Sequence, residues 1–378
     1  MARSPSPRAM RPRAARRDRY LGGVRSFACG HCGSLVFFEN TICLRCSTPL
    51  RFDSDRLSLV AMDEGAQWVD CANRQLAGCN WLADRQGVLC RSCRLTRTRP
   101  NTADAAGLEA FVVAERAKRR VLVQLLELGL PGIREGSLAF DLLSSAERPV
   151  TTGHADGVIT IDLAESDDAR REARRAQLGE PYRTMLGHLR HELGHYMQPL
   201  LIVSEEVSAA CRQLFGDDRV DYGEALERHY TEGPPADWQD RYVSAYATMH
   251  PWEDWAETFA HYLHITDTLE TAGEFGVIVE GPRAVADDSL ATVPRVNLGE
   301  HEFATILESW LPLTYALNAI NRSMGREDLY PFALAPAVVK KLSFVHERVL
   351  QVGESRSSPP RGPSPPLAQR QATRPAPT

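Results

Sequence analysis

No stretch of the 378-residue sequence reaches the roughly 18 consecutive apolar residues needed to span a bilayer. The longest apolar runs are short, as in LPLTYAL. The amino-terminal arm is rich in arginine, but no apolar segment follows it, so the pattern of a secretory signal is missing. These absences argue for the cytoplasm and against a membrane. Lysine is scarce, with only Lys118, Lys340 and Lys341, and the other basic residues are arginine. No internal repeat is present. With 43% hydrophobic and 25% charged residues, the chain is neither wholly disordered, nor collagen-like, nor of low complexity.

A positive surplus is also lacking. Asp and Glu number 49 against 44 Lys and Arg, a formal charge of −5. The first 20 residues hold seven Arg and one Asp, so the remainder carries −11. An acidic body argues against general nucleic-acid binding by phosphate neutralisation. Cysteine almost vanishes after residue 93. Eight of the nine fall between Cys29 and Cys93, leaving Cys211 alone. Without a secretory signal, such clustering reads as thiolate-bound metal in a reducing compartment rather than as disulfides.

The pattern divides the chain into four parts. Residues 1–24 read as a disordered basic arm and 353–378 as a disordered proline-rich tail. Residues 25–97 hold the cysteines and short strand-like pieces such as SLVFFEN, and a polar linker follows. Residues 105–352 read as one large domain. Its first helix spans the segment from Leu108 to Gly129. SLAFDLL and DGVITIDLAE read as strands. A long helix begins near Pro181 and stops before Pro199. Another begins at HPWEDWAETFAHYLHI, and further helices lie around 301–320 and 335–351. The expected class is α+β, mostly helical, with a small zinc ribbon in front.

Cys29-x2-Cys32 and Cys43-x2-Cys46 are two knuckles ten residues apart, which suits a closed four-thiolate structural zinc. Gly33 fits the turn after the first knuckle. Cys71-x7-Cys79 and Cys90-x2-Cys93 form a second set with one true knuckle, suited to a second structural zinc. The two sets could also interleave, although sequential pairing closes shorter loops. His31 sits inside the first knuckle, where four sulfurs already suffice, and reads as a surface residue. Arg91, Arg94, Arg97 and Arg99 form a basic edge, read as a solvated face ahead of a contact for nucleic acid or an acidic partner.

HELGH at 191–195 has the HExxH form. On a helix His191 and His195 share one face and can grip one zinc, while Glu192 is turned by about 100° from His191. That offset suits a general base acting on water. A catalytic zinc needs a third protein ligand. Six residues after His195 stands Leu201, which excludes the metzincin pattern. The helix at 250–265 offers Glu253, Asp254 and Glu257. Glu253 and Glu257 share a face, so one can bind zinc while the other hydrogen-bonds a ligand histidine.

ExxAExFA at 253–260 resembles the third-ligand helix of thermolysin-like gluzincins, which implies Glu253 as ligand and Glu257 as the carboxylate behind a ligand histidine. The chain as a whole, over nearly all of 27–350, resembles a bacterial family of zinc-binding metallopeptidases with an N-terminal zinc ribbon. CGHCGSLVFFENTICLRC, GHLRHELGHY, HPWEDWAETFAHYLHI and LNAINRSMGREDLYPF carry that resemblance. Met197 and Gln198 depart from the aromatics with which the family continues, without touching a ligand. The resemblance implies a zincin-like catalytic domain, one catalytic and up to two structural zinc ions, and a peptide or protein substrate. His188, His261 and His264 read as packing or cleft residues, and Cys211 as a buried apolar one. Tyr246, His250, Arg322 and Tyr330 are the candidates for stabilising an oxyanion. The rival reading is a regulatory protein that binds a protein or nucleic-acid partner through its ribbon and carries a vestigial zincin domain.

Overall fold

The computed structural model describes residues 26–62, 68–131, 137–146, 149–166, 184–281 and 302–357. The basic arm at 1–24 and the tail beyond 357 lie outside the described residues, as does Pro181. Among the described residues no helix is long and apolar enough to cross a membrane.

The amino-terminal region is a chain of short antiparallel pairs. Strand β1 (Ser26–Ala28) pairs with β2 (Leu35–Phe37), β3 (Leu50–Asp53) with β4 (Ser58–Ala61), and β5 (Val69–Asp70) with β6 (Leu82–Ala83). Strands this short bury little by themselves. Their core is an aromatic knot in which Phe52 meets Phe38 edge-on at 4.9 Å and Trp81 at 5.2 Å, all three buried. Gly33, at φ 71°, makes the turn after the first knuckle. A single helical turn, α1 (Arg91–Arg94), closes the region.

Strand β7 (Thr96–Thr98) leaves the ribbon and joins a four-stranded sheet with β8 (Ala139–Leu143), β9 (Gly153–Ala155) and β10 (Val158–Asp162). The order is β7-β8-β10-β9, parallel except for the β9–β10 hairpin. Asp156 and Gly157, at φ 49° and 77°, supply the positive angles a two-residue hairpin needs. The boundary expected at 97 therefore cuts a strand of this sheet, because the backbone of β7 finds its hydrogen-bond partners on β8. Arg97 ties the same strand to Asp141 on β8, with Nε 2.9 Å from Oδ1.

Among the described residues the remainder is mostly helical. Helix α2 (Ala105–Glu127) is capped by Asp104, whose Oδ1 accepts from Gly107 N at 2.8 Å, and Gly129 at φ 69° turns the chain away after it. Helix α3 (Met185–Leu201) is capped by Thr184. It runs through Pro199 instead of stopping before it, since a proline in the last turn forfeits only one hydrogen bond. Two helices that the apolar pattern did not single out follow, α4 (Glu205–Phe215) and α5 (Tyr222–Glu232). Their signals are local: Ser204 and Asp221 cap them, and their first turns hold Glu205 and Glu206 in one and Glu224 in the other. Helix α6 (Pro251–Glu274) has its proline in the favoured first turn and His250 as its cap. Helices α7 (Phe303–Ser323) and α8 (Pro336–Ser357) complete the domain. The last helix continues past the expected tail boundary at 353, and the proline run begins only at Pro359.

Helices α3 and α6 cross at Gly194. A Cβ there would stand 2.9 Å from Ala256 Cα and 3.0 Å from its carbonyl oxygen. Trp255 Nε1 donates to Gly194 O at 2.9 Å across the same crossing. The glycine thus serves close helix packing, not room beside a metal as its place next to His195 suggests. Gly194→Ala is expected to push the helices apart and cost about 1–3 kcal/mol, the usual range for overpacking. A lowered denaturant midpoint checks it, and an unchanged midpoint would show the crossing to be loose.

Candidate metal centres

The α3–α6 crossing brings together three atoms able to ligate a metal. His191 Nε2 lies 3.0 Å from Glu253 Oε2, His195 Nε2 lies 3.3 Å from the same oxygen, and the two nitrogens are 3.1 Å apart. Tetrahedral zinc bound at its ordinary distances would separate such atoms by about 3.3 Å. Glu253 Oε2 is buried and receives no well-directed hydrogen bond, although both nitrogens face it. Three acceptors converging on one point fit a cation.

The surroundings orient each of the three side chains. His191 Nδ1 lies 2.6 Å from Glu257 Oε1, so Nε2 is the nitrogen presented inward. Glu257 is held in turn by Ser244, whose Oγ donates to Oε2 at 2.6 Å. His195 packs its ring against Trp252, with centroids 3.9 Å apart, and its Nδ1 is buried without a partner. Tyr222, from the start of α5, donates its hydroxyl to Glu253 Oε1 at 3.1 Å. Tyr222, Ser244 and Trp252 were not singled out from sequence. They lie 13 to 57 residues from their partners, and only Asp221 as a helix cap hinted at the first.

The electrostatics call for positive charge. Burial disfavours the charged form of His191, but Glu253 and Glu257 overcome it and raise its pKa well above the ordinary value. Burial raises the Glu253 carboxyl, yet both histidines outweigh it and hold it far below its usual range. Glu257, opposed by burial in the same way, is held at about 2 by His191. Glu192 behaves oppositely. Burial is the main cause of its raised pKa, and its Oε2 is buried without a hydrogen-bond partner. A carboxylate with a spare oxygen and an elevated pKa suits proton transfer.

Most other candidates are spent elsewhere. His250 caps α6, its Nδ1 accepting from Trp252 N at 3.0 Å and its Nε2 donating to Val220 O at 3.1 Å. Arg322 pairs with Asp328 at 2.5 Å. Tyr330 Oη lies 2.7 Å from His261 Nδ1 in an aromatic cluster that also stacks His264. His261 and His264 are packing residues, both with pKa values lowered by burial. His188 is half-buried on α3. Tyr246 stays near, its ring 5.9 Å from that of His191. Asp254 faces away to Lys341, with Oδ2 2.6 Å from Nζ. The Cys211 thiol is pushed up to about 12, chiefly by burial, as befits a core residue.

The eight remaining cysteines form two tetrads, Cys29, Cys32, Cys43 and Cys46, and Cys71, Cys79, Cys90 and Cys93, each with its sulfurs within 4.8 Å of one another. In the first, Cys29–Cys46 and Cys32–Cys43 sulfurs are 3.7 Å apart; in the second, Cys79–Cys90 are 3.6 Å apart. Four thiolates around zinc would stand about 3.8 Å apart. The pairing is therefore sequential. Backbone amides turn to the sulfurs, Cys90 N donating to Cys71 Sγ at 3.2 Å. His31 is exposed. The arginine edge is engaged within the chain: Arg91 with Asp55 at 2.9 Å, Arg94 with Asp84 at 2.7 Å, Arg97 with Asp141, and Arg99 with the Pro100 carbonyl at 2.9 Å.

Residues 107–348 match the family described as "Putative zinc-binding metallo-peptidase", and residues 26–104 match a zinc-ribbon domain family. An uncharacterized protein of Mycobacterium bovis and one of Mycobacterium tuberculosis are each 49% identical over 337 residues, which covers 87% of this chain and 96% of the relative. No solved structure matches the chain.

Proposed function

The chain belongs to this family of zinc-binding metallo-peptidases, and we propose that it is a zinc-dependent peptidase of the gluzincin type that hydrolyses peptide or protein substrates in the cytoplasm. The observation that carries the reading is the convergence of His191 Nε2, His195 Nε2 and Glu253 Oε2 next to a buried Glu192 with a spare oxygen. His191, His195 and Glu253 would hold the catalytic zinc, which supplies a Lewis acid for the scissile carbonyl and for water. Glu192 takes a proton from the attacking water and passes it to the nitrogen of the leaving amine. Glu257, steadied by Ser244, fixes the ring and tautomer of His191. Trp252 holds the ring of His195. The Tyr222 hydroxyl, at Glu253, and Tyr246, whose ring lies 5.9 Å from that of His191, are the donors at hand for a developing oxyanion.

For the regulatory rival, three of the four edge arginines, Arg91, Arg94 and Arg97, already hold ion pairs within the chain, which lends a nucleic-acid contact there less support. What supports a protein partner at the ribbon is the exposed apolar tip of the second knuckle, Cys43-x2-Cys46, with Ile42 and Leu44. The test is a peptide library treated with zinc-loaded protein. New termini are expected, lost on chelation and restored by zinc. Elemental analysis should give three zinc ions per chain, matching the three ligand clusters, with the thiolate-bound pair outlasting the catalytic ion under mild chelation. A library left intact by fully loaded protein would sink the peptidase reading.

A further inference from the structure

The two cysteine tetrads lie in unlike surroundings. In the first, Cys32 and Cys46 are part-exposed, and the hydroxyls of Ser34 and Thr48 lie 3.4 and 3.2 Å from their sulfurs. In the second all four cysteines are buried, and one wall of their pocket is built by α2, from the helical domain. Zinc with four thiolates carries a net charge of −2. Near solvent that charge is hydrated. In a buried site it needs positive charge close by.

Helix α2 turns three charged side chains to this wall: Glu115 and Lys118 at 0% exposure and Arg119 at 3%. Glu115 Oε2 lies 4.0 Å from Cys93 Sγ, an anion beside an anionic centre. Lys118 Nζ lies 2.6 Å from Glu115 Oε1 and also donates to Thr96 Oγ1. Arg119 Nη1 lies 3.5 Å from Glu115 Oε2, and its Nη2 donates to the carbonyls of Ala77 and Gly78, each at 3.2 Å, in the turn leading into Cys79. By themselves the three side chains leave a surplus of one positive charge buried in the protein. A four-thiolate zinc is an anion that this surplus offsets in part, lowering the buried charge of the centre from −2 to −1.

We infer that Lys118 and Arg119 are the counter-charges of the second four-cysteine centre, so that this centre is built jointly by the ribbon and by α2. The inference stands apart from the peptidase reading, since it concerns metal retention and not catalysis. The same helix also meets α3 and α6. Gln124 of α2 donates to Leu263 O of α6 at 2.7 Å and accepts from Arg190, the neighbour of His191, at 3.3 Å.

The test is metal retention in the full-length, zinc-loaded protein, followed with a chromogenic chelator, with cadmium-substituted protein used to resolve the two thiolate centres by cadmium NMR. Lys118→Met and Arg119→Met should each speed metal loss from the second centre by about 10–100-fold, the usual cost of losing a group that supports metal ligands, and leave the first centre as it was. Glu115→Gln separates a counter-charge from an ordinary ion pair. A counter-charge role predicts that it retains the metal as firmly as the native chain or more so. If Lys118 serves only to pair with Glu115, that variant strands a buried cation and loses metal faster. Faster loss in Glu115→Gln would overturn the inference, and it can be read even if the methionine variants do not fold. So would native rates in both methionine variants, or a second centre that takes up no metal.

Discussion

Glu192→Gln is expected to lower peptide-bond hydrolysis by at least ~10²–10⁴-fold while zinc content and fold stay as they are. Gln keeps the size and shape of the side chain but cannot accept a proton from water. Glu192 is not among the converging ligand atoms, so the exchange should not release zinc. Its removal also takes a burial-raised carboxyl out of the site, which costs the fold nothing in lost ion pairs. The regulatory reading predicts the opposite pair of results. There Glu192→Gln is silent, and serine in place of Cys29 and Cys32 abolishes function. Cleavage rates and zinc content measured together on the same preparation decide. A zinc-loaded Glu192→Gln protein that hydrolyses at the native rate would remove the peptidase mechanism.

What the sequence reveals of this site follows from how local each part is. HExxH is legible because helical geometry alone puts residues four apart on one face. The knuckles are legible for the same reason, their spacing being set within a single turn of chain. The strands SLAFDLL and DGVITIDLAE and most helices show in their apolar period. Tyr222 and Ser244 are not legible, because their meeting with Glu253 and Glu257 depends on how the chain folds back between α3 and α6. The α2 wall of the second centre is hidden likewise. Lys118 and Arg119 stand 25 or more residues from the last cysteine ligand, and in sequence they read as the polar side of a helix. Gly194 shows the reverse problem. Its position beside His195 suggests a role at the metal, whereas its missing side chain is demanded by Ala256 across the helix crossing.

Glu253→Ala and Glu257→Ala should differ sharply, and the difference follows from which nitrogen of His191 each carboxylate meets. Glu253 Oε2 faces the Nε2 atoms of both histidines. Its removal leaves two nitrogens to hold a metal that requires three protein ligands and an open position, so catalytic zinc should be lost or nearly so, with hydrolysis lost alongside. Glu257 instead meets Nδ1 of His191, on the far side of the ring. Without it His191 keeps its Nε2 lone pair but loses the bond that fixes its orientation and raises its basicity. The expected cost is about 10–100-fold in zinc affinity or activity, with the ion still bound at saturating zinc. Ser244→Ala should move the same quantities in the same direction by less, since it removes one hydrogen bond from Glu257 and none from His191. Zinc titrations of the three variants, with the four-thiolate ions counted separately, make the comparison. Complete zinc loss in Glu257→Ala with retention in Glu253→Ala would reverse the assignment and make Glu257 the ligand.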